Sequence, residues 1–318
     1  MSTTNRDEKL DLIRGLAMVG IVLIHVHSYF LFFHSIEDIP VIITMILANI
    51  SRFSVPVFIL AAGLFSRDRT FLSYWQSRIL LVIIPYCIAS TIGYFVKFND
   101  WDAFDFLYKL LMGKVFTPYY FIPLLFQFYI IHYFLLRKAN EMSRLILLII
   151  ALIINIISNA GYFAFMTNDY KPIWIGDFAF FYFLGFYLSE KKGINFLSDL
   201  PFLKWISAFG FICLLIYISW YTAADKIILT NHHLVYPTLA IIAIYSFIKL
   251  RLPLLESIGQ NSLGIFLIHP FIIHMMHSID PYSLGGGYIS IILTTIVNVV
   301  VPWTIWLGVQ RIIQLYSK

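Results

Sequence analysis

The first apolar segment of the chain reads Asp11-Leu-Ile-Arg14-Gly-Leu-Ala-Met-Val-Gly-Ile-Val-Leu-Ile-His25. Eleven residues at about 100° each return to within about 20° of the starting direction, so on a helix Arg14 and His25 share one face, about 16 Å apart along the axis. A guanidinium at the mouth of a membrane helix suits phosphates. An imidazole half a bilayer deeper suits proton transfer to or from a hydroxyl at neutral pH. A coenzyme A thioester has this shape, a phosphorylated head and a long thin arm ending in the reactive carbonyl. The same residues have a plainer reading, Arg14 as a positive-inside anchor and His25 as a polar side chain bonded to a neighbouring helix. Both readings stand at this level.

Other polar residues sit where they are costly. Arg52 lies about halfway along the second apolar segment, where a charge costs about 2.5–3.5 kcal/mol on insertion scales. Pro56, four residues on, cannot donate to the Arg52 carbonyl, so the helix is expected to bend there. Asp177 is the acid well inside an apolar span and the first choice as partner of Arg52, whether as a structural pair or in a substrate pocket. His132, His232, His233, His269, His274 and His277 have no Asp, Glu or Cys at ligand spacing on one helix face, so no metal site is expected. Asn261 and Ser262 read as a helix N-cap. Asp100, Asp102 and Asp105 read as a solvated loop, with contact to an external acceptor as the alternative. Cys87 and Cys213 lie in apolar stretches without redox-motif spacing and read as packing residues.

The elements that must position these groups are membrane helices. The 318 residues are 60% hydrophobic and only 12% charged, with mean hydropathy +0.83, far from the soluble norm. Aromatic residues make up 18% of the chain, which suits a lipid-facing surface with amphipathic rims. Apolar stretches near 20 residues fall at 12–33, 41–65, 79–96, 119–136, 145–165, 173–188, 203–221, 234–248, 263–276 and 289–309. The first is too long for a signal-peptide core and is expected to be retained. With the N-terminus in the cytoplasm, sixteen of the twenty-two basic residues fall on that side, five on the other, and Arg52 within a helix. This predicts an all-α polytopic bundle of about ten transmembrane helices with both termini cytoplasmic. Residues 1–318 read as a single membrane domain. The net charge of +5 follows from topology and implies no nucleic-acid partner.

Leu12-Ile13-Arg14-Gly15-Leu16-Ala17 followed by His25 resembles the opening of the membrane-bound acyltransferase-3 family. The resemblance continues through Arg52-Phe53-Ser54-Val55-Pro56-Val57-Phe58 to Gly63, Gln76-Ser77-Arg78 to Pro85-Tyr86, and Tyr120-Phe121-Ile122-Pro123-Leu124-Leu125. It ends with Phe183-Leu184-Gly185 and the stretch Ile258-Gly259-Gln260-Asn261-Ser262-Leu263-Gly264-Ile265-Phe266-Leu267-Ile268-His269. It covers about residues 8–310 in family order. It implies transfer of an acyl group, usually acetyl, from a cytoplasmic acyl-CoA to a hydroxyl of an envelope glycan or lipid-linked sugar, in the inner membrane. His25 would be catalytic, as general base or through an acyl-imidazole, and Arg14 and Arg78 would hold the donor. Acyl-CoA is then a co-substrate, and no tightly bound cofactor is expected. Many members carry paired arginines at the edge of the third helix, whereas Arg78 here is followed three residues later by Leu81. A second donor contact is therefore missing or comes from Arg67 or Arg69. The competing reading is a transporter or flippase of a polysaccharide or lipid-linked sugar, for which interrupted helices and Arg52 are expected features.

Overall fold

The computed structural model describes residues 8–66, 70–98, 100–160, 170–189, 201–225, 234–248 and 251–316. Arg6, Arg67, Arg69, Lys191, Lys192, Lys226, His232, His233, Lys249 and Lys318 lie outside the described residues. Among the described residues the fold is all-helical. Among these residues, seven helices are long and apolar enough to cross a membrane: α1 (Glu8–Phe33), α2 (Ile39–Leu64), α3 (Phe71–Lys97), α5 (Thr117–Leu136), α6 (Glu141–Asn159), α8 (Pro201–Asp225) and α12 (Gly287–Tyr316). Three apolar helices are shorter, α7 (Ala179–Leu188), α9 (Val235–Phe247) and α11 (Ser262–Met276). Two further helices among the described residues are α4 (Ala103–Met112) and α10 (Pro253–Gln260).

The outer faces of the long helices are apolar rather than polar. On α8, Trp205 and Trp220 are 65% and 69% exposed, with Phe209 and Ile216 exposed between them. Fifteen residues of helix separate the two indoles by about 22 Å, a spacing that suits a ring at each interface of a bilayer. Cys213, expected as a packing residue, is exposed on the same helix. Lipid is the solvent this face is built for.

Local sequence explains where the helices bend. In α2 the α-helix yields to a 3₁₀ turn at Ser51–Phe53, just where Pro56 withholds its donor from the Arg52 carbonyl. The Ser51 and Ser54 hydroxyls donate to the Leu47 and Ser51 carbonyls, at 2.7 and 2.6 Å. In α3 a π-helical stretch at Ile79–Ile83 follows Arg78 and precedes Pro85, and the Ile84 N–H reaches back to the Ile79 carbonyl. The sequence places the start of this span at residue 79, but the helix begins at Phe71, so Arg78 sits inside it. The span expected over 173–188 is helical only from Ala179. Asp177 falls in the preceding 3₁₀ turn, whose carbonyls at Gly176 and Asp177 accept from Asn155 Nδ2 at 3.1 and 2.6 Å. Irregular backbone is tolerated there because protein side chains satisfy it.

The described chain divides into two compact units, one of Met1–Phe58 with Leu197–Lys318, the other of Ile59–Phe196. In the first, α1 is one unbroken helix and packs against α10 without side chains between them. A Cβ on Gly259 would lie 1.8 Å from the Asp11 carbonyl oxygen, and one on Gly15 would lie 2.0 Å from that of Leu255. At its far end α1 is tied to the turn before α12. There the His34 ring stacks on Tyr282 at 3.5 Å and bonds Asp280 at 2.8 Å. That bond and the Tyr282 backbone N–H hold the Asp280 carboxyl below the usual carboxylate range. In the second unit, Gly185 approaches α2 in the same manner, a Cβ there meeting the Leu60 carbonyl at 2.1 Å.

Gly259→Ala is therefore expected to lower thermal stability by at least the about 1–3 kcal/mol of ordinary overpacking, because backbone rather than a flexible side chain blocks the methyl. Gly308→Ala, with nothing within 4 Å of its Cβ, serves as the control. Thermal unfolding of both variants in detergent reads the difference. Equal melting points would mean that α1 and α10 do not need this approach.

Candidate active site

The site is built on the face of α1 that meets α11. Near the start of α1, the Arg14 guanidinium is clamped from two directions. Its Nη1 lies 3.3 Å from Asp11 Oδ1, one turn earlier, and its Nη2 donates to Ser262 Oγ at 3.0 Å. Asp11 is buried, with 3% of its side chain exposed against 22% for Arg14. Its other oxygen accepts from Gln260 Nε2 at 3.3 Å. A carboxylate beside a guanidinium in a poorly solvated place offsets the cost of burying either charge alone. The clamp exists because Gly15 and Gly259 let α10 approach, which brings Gln260 and Ser262 to α1.

Asn261 occupies the N-cap position of α11, yet its side chain accepts no cap bond. Its amide donates to the Ser257 carbonyl at 2.8 Å instead, and the Ser262 hydroxyl turns to Arg14. The pair expected to cap the helix thus serves the α10–α11 corner and the arginine.

Three turns further along α1, the half-buried His25 faces the same helix. Its ring centroid is 5.5 Å from that of His269, with 41° between the planes. His269 is fully buried and its Nδ1 lies 3.1 Å from the Ile265 carbonyl oxygen. A carbonyl only accepts, so Nδ1 carries the proton and Nε2 offers a lone pair. Nε2 is buried without a hydrogen-bond partner among the described residues. Because Ser262 meets Arg14 and His269 meets His25, α1 and α11 run parallel, and the shared face read from the eleven-residue spacing is a face covered by one helix.

Arg78 belongs to the second unit. Its guanidinium lies over the Tyr74 and Tyr129 rings, 4.5 and 5.2 Å from their centroids, and Nη1 donates to Ser77 Oγ at 2.9 Å. The Tyr74 hydroxyl donates to the Tyr129 carbonyl at 3.1 Å, fixing the platform. Arg78 Nε is buried without a hydrogen-bond partner among the described residues. Aromatic faces hold a cation without consuming its N–H groups, which leaves donors for an incoming anion.

Arg52 and Asp177 fall in different units and each has partners nearby in sequence or space. Arg52 Nε donates to Asn49 Oδ1 at 2.9 Å, and Asn49 is braced by the Tyr236 hydroxyl on its carbonyl at 2.9 Å. The Asp177 carboxylate accepts from the Ser158 hydroxyl, which in turn accepts from the Trp174 indole at 2.9 Å. Among the described residues no group of three His, Cys, Asp or Glu is placed to hold a metal ion.

Asp11, Ser262 and His269 meet the sequence-derived pair, and Gln260 meets Asp11; the sequence singles out none of the four as a partner. Asp11 and Arg14 carry their own signal, opposite charges three apart on a helix. Gln260 and His269 do not, since only the docking of α10 and α11 on α1 brings them there.

The chain is all-helical among its described residues and carries a cationic clamp and an imidazole along one face of a membrane helix. Residues 7–307 match the family model described as an acyltransferase domain, and the chain belongs to the acyltransferase-3 family. No curated protein and no solved structure matches it.

Proposed function

We propose that this acyltransferase takes an acyl group, acetyl in the simplest case, from a cytoplasmic acyl-CoA and passes it to a hydroxyl of an envelope glycan or lipid-linked sugar. The observation that carries the reading is Arg14 and His25 on one unbroken helix, both facing α11. In this scheme Arg14 and Arg78 bind phosphates of the donor through charge and paired N–H groups. His25 takes the proton of the acceptor hydroxyl as its oxygen attacks the thioester carbonyl. The C–O bond forms, the C–S bond breaks, and the proton passes from His25 to the departing thiolate. Arg52 and Asp177 enter as candidate acceptor contacts or structural groups. The enzyme sits in the inner membrane with ten spans and both termini cytoplasmic, the three short apolar helices completing the crossings.

Purified protein in nanodiscs is expected to release free thiol from acetyl-CoA, and faster when an acceptor glycan is present. No turnover with any acyl-CoA, together with movement of a lipid-linked sugar across vesicles, would favour the transporter reading instead. Arg14→Ala and Arg78→Ala, each made singly, should weaken coenzyme A binding by about tenfold or more, given the about 1.5–3 kcal/mol typical of a charged hydrogen bond. Calorimetric titration reads this, and unchanged affinity in both places the donor elsewhere. For sidedness, a reporter fused after Lys138 should report cytoplasm and one near Asp102 the far side, from the asymmetry of basic residues. The reverse outcome at either position breaks the ten-span arrangement.

A further inference from the structure

We infer that His269 is a positioning residue for His25, fixing its tautomer and orientation by accepting a hydrogen bond from it. The inference rests on the reading of His25 as the general base. A base works only if one nitrogen is bare toward the hydroxyl and the other carries a proton held in a fixed direction; nucleophile–base pairs commonly have a third group for this task. The side chain best placed to serve it on this face is a second imidazole.

The geometry specifies which way the proton points. His269 has committed its Nδ1–H to the Ile265 carbonyl at 3.1 Å, so what remains at Nε2 is an acceptor. That acceptor is fully buried and without a partner among the described residues, an arrangement proteins seldom keep without a use. The ring nearest to it is His25, at 5.5 Å between centroids, within reach of a direct contact or of one bridging water. His25 would therefore direct its N–H to His269 Nε2 and its lone pair to the acceptor hydroxyl. When His25 takes the hydroxyl proton it becomes a cation with both nitrogens protonated. His269 stays neutral and accepts from it, and His25 then gives the new proton to the thiolate, so both rings return to their starting state. His269 is held for this role by α11. Ser262, two turns earlier, binds Arg14 at 3.0 Å, so a single helix seats the clamp and the orienting group against α1.

The test is ¹⁵N NMR of imidazole-labelled full-length protein in nanodiscs, beside thiol release from acetyl-CoA. In the wild type, His269 is expected as the Nδ1–H tautomer and His25 as a single neutral tautomer. In His269→Phe, which fills the space without an acceptor, His25 should become a mixture of tautomers, and kcat should fall by about a hundredfold with the KM for acetyl-CoA unchanged. His269→Gln, which retains an acceptor oxygen, should restore a single tautomer and part of kcat. A protonated Nε2 on His269 in the wild type overturns the inference, and that reading needs no variant to fold. So does an unaltered His25 tautomer in His269→Phe. If His25 responds as expected but no acyl-CoA is turned over by the wild type, the orienting contact stands and the proposed function fails.

Discussion

Replacing His25 with alanine is expected to abolish acyl transfer, lowering turnover of acetyl-CoA by about 10²–10⁴-fold, the usual contribution of a positioned general base. The effect should be confined to chemistry. His25 is half-buried and makes its ring contact with His269, whereas the seating of α1 depends on Gly15 against Leu255 and on the Arg14 clamp. The variant adds no charge to the bilayer, so membrane insertion and coenzyme A affinity should match the wild type. Steady-state thiol release and calorimetric titration on the same preparation separate the two quantities. Wild-type turnover in His25→Ala would remove this imidazole from the mechanism, and the clamp at Arg14 would then have to be explained as an anchor alone.

The second large effect comes from changing geometry while keeping every side chain of the site. Deleting Val19 should reduce turnover by at least about 10²-fold, the scale of a misplaced reacting group, in a chain that still inserts. The deletion turns the far half of α1 by about 100° and shortens it by only about 1.5 Å, a length change that tilt absorbs. Two seats on α1 bracket the deletion. Gly15 lies against α10, and a Cβ on Gly20 would come within 2.3 Å of Ser54 Oγ and 3.0 Å of Ser51 Cβ. With one residue gone, the two glycines cannot both keep their places, and His25 swings away from the face on which Arg14 meets Ser262. The length-preserving control is Val19→Ala, because an alanine added after Gly20 would put a methyl against Ser54. Val19→Ala should behave as wild type. Membrane fractionation and acetyl-CoA turnover read the comparison, and an active deletion variant would show that the common face of Arg14 and His25 is not used.

Much of this arrangement was legible in one dimension because a helix in lipid has few choices. Backbone groups must be satisfied within the segment, so composition and apolar length alone determine an all-helical membrane protein. The angular step of the helix then places Arg14 and His25 on one face without knowledge of any neighbour. Pro56 likewise dictates an interruption near Arg52, found as the 3₁₀ turn at Ser51–Phe53, because a missing donor is a covalent property. Where helices start and stop was less legible. Residues 173–178 are apolar enough to extend a span, yet they form turns, since Asn155 offers their carbonyls an alternative to helix bonds.

What only the tertiary structure decided is which side chains meet across helices. Asp11 is a charged residue at the start of the first apolar segment. It is buried because α10 closes over it, which requires two glycines more than 240 positions apart to let backbones touch. Ser262 reads as a cap and becomes a ligand of Arg14. His269 reads as one of several scattered histidines and becomes the neighbour of His25. Sequence spacing orders residues along one helix, but contact between helices depends on where small residues permit close approach. That is a property of two surfaces together and is written in neither segment alone.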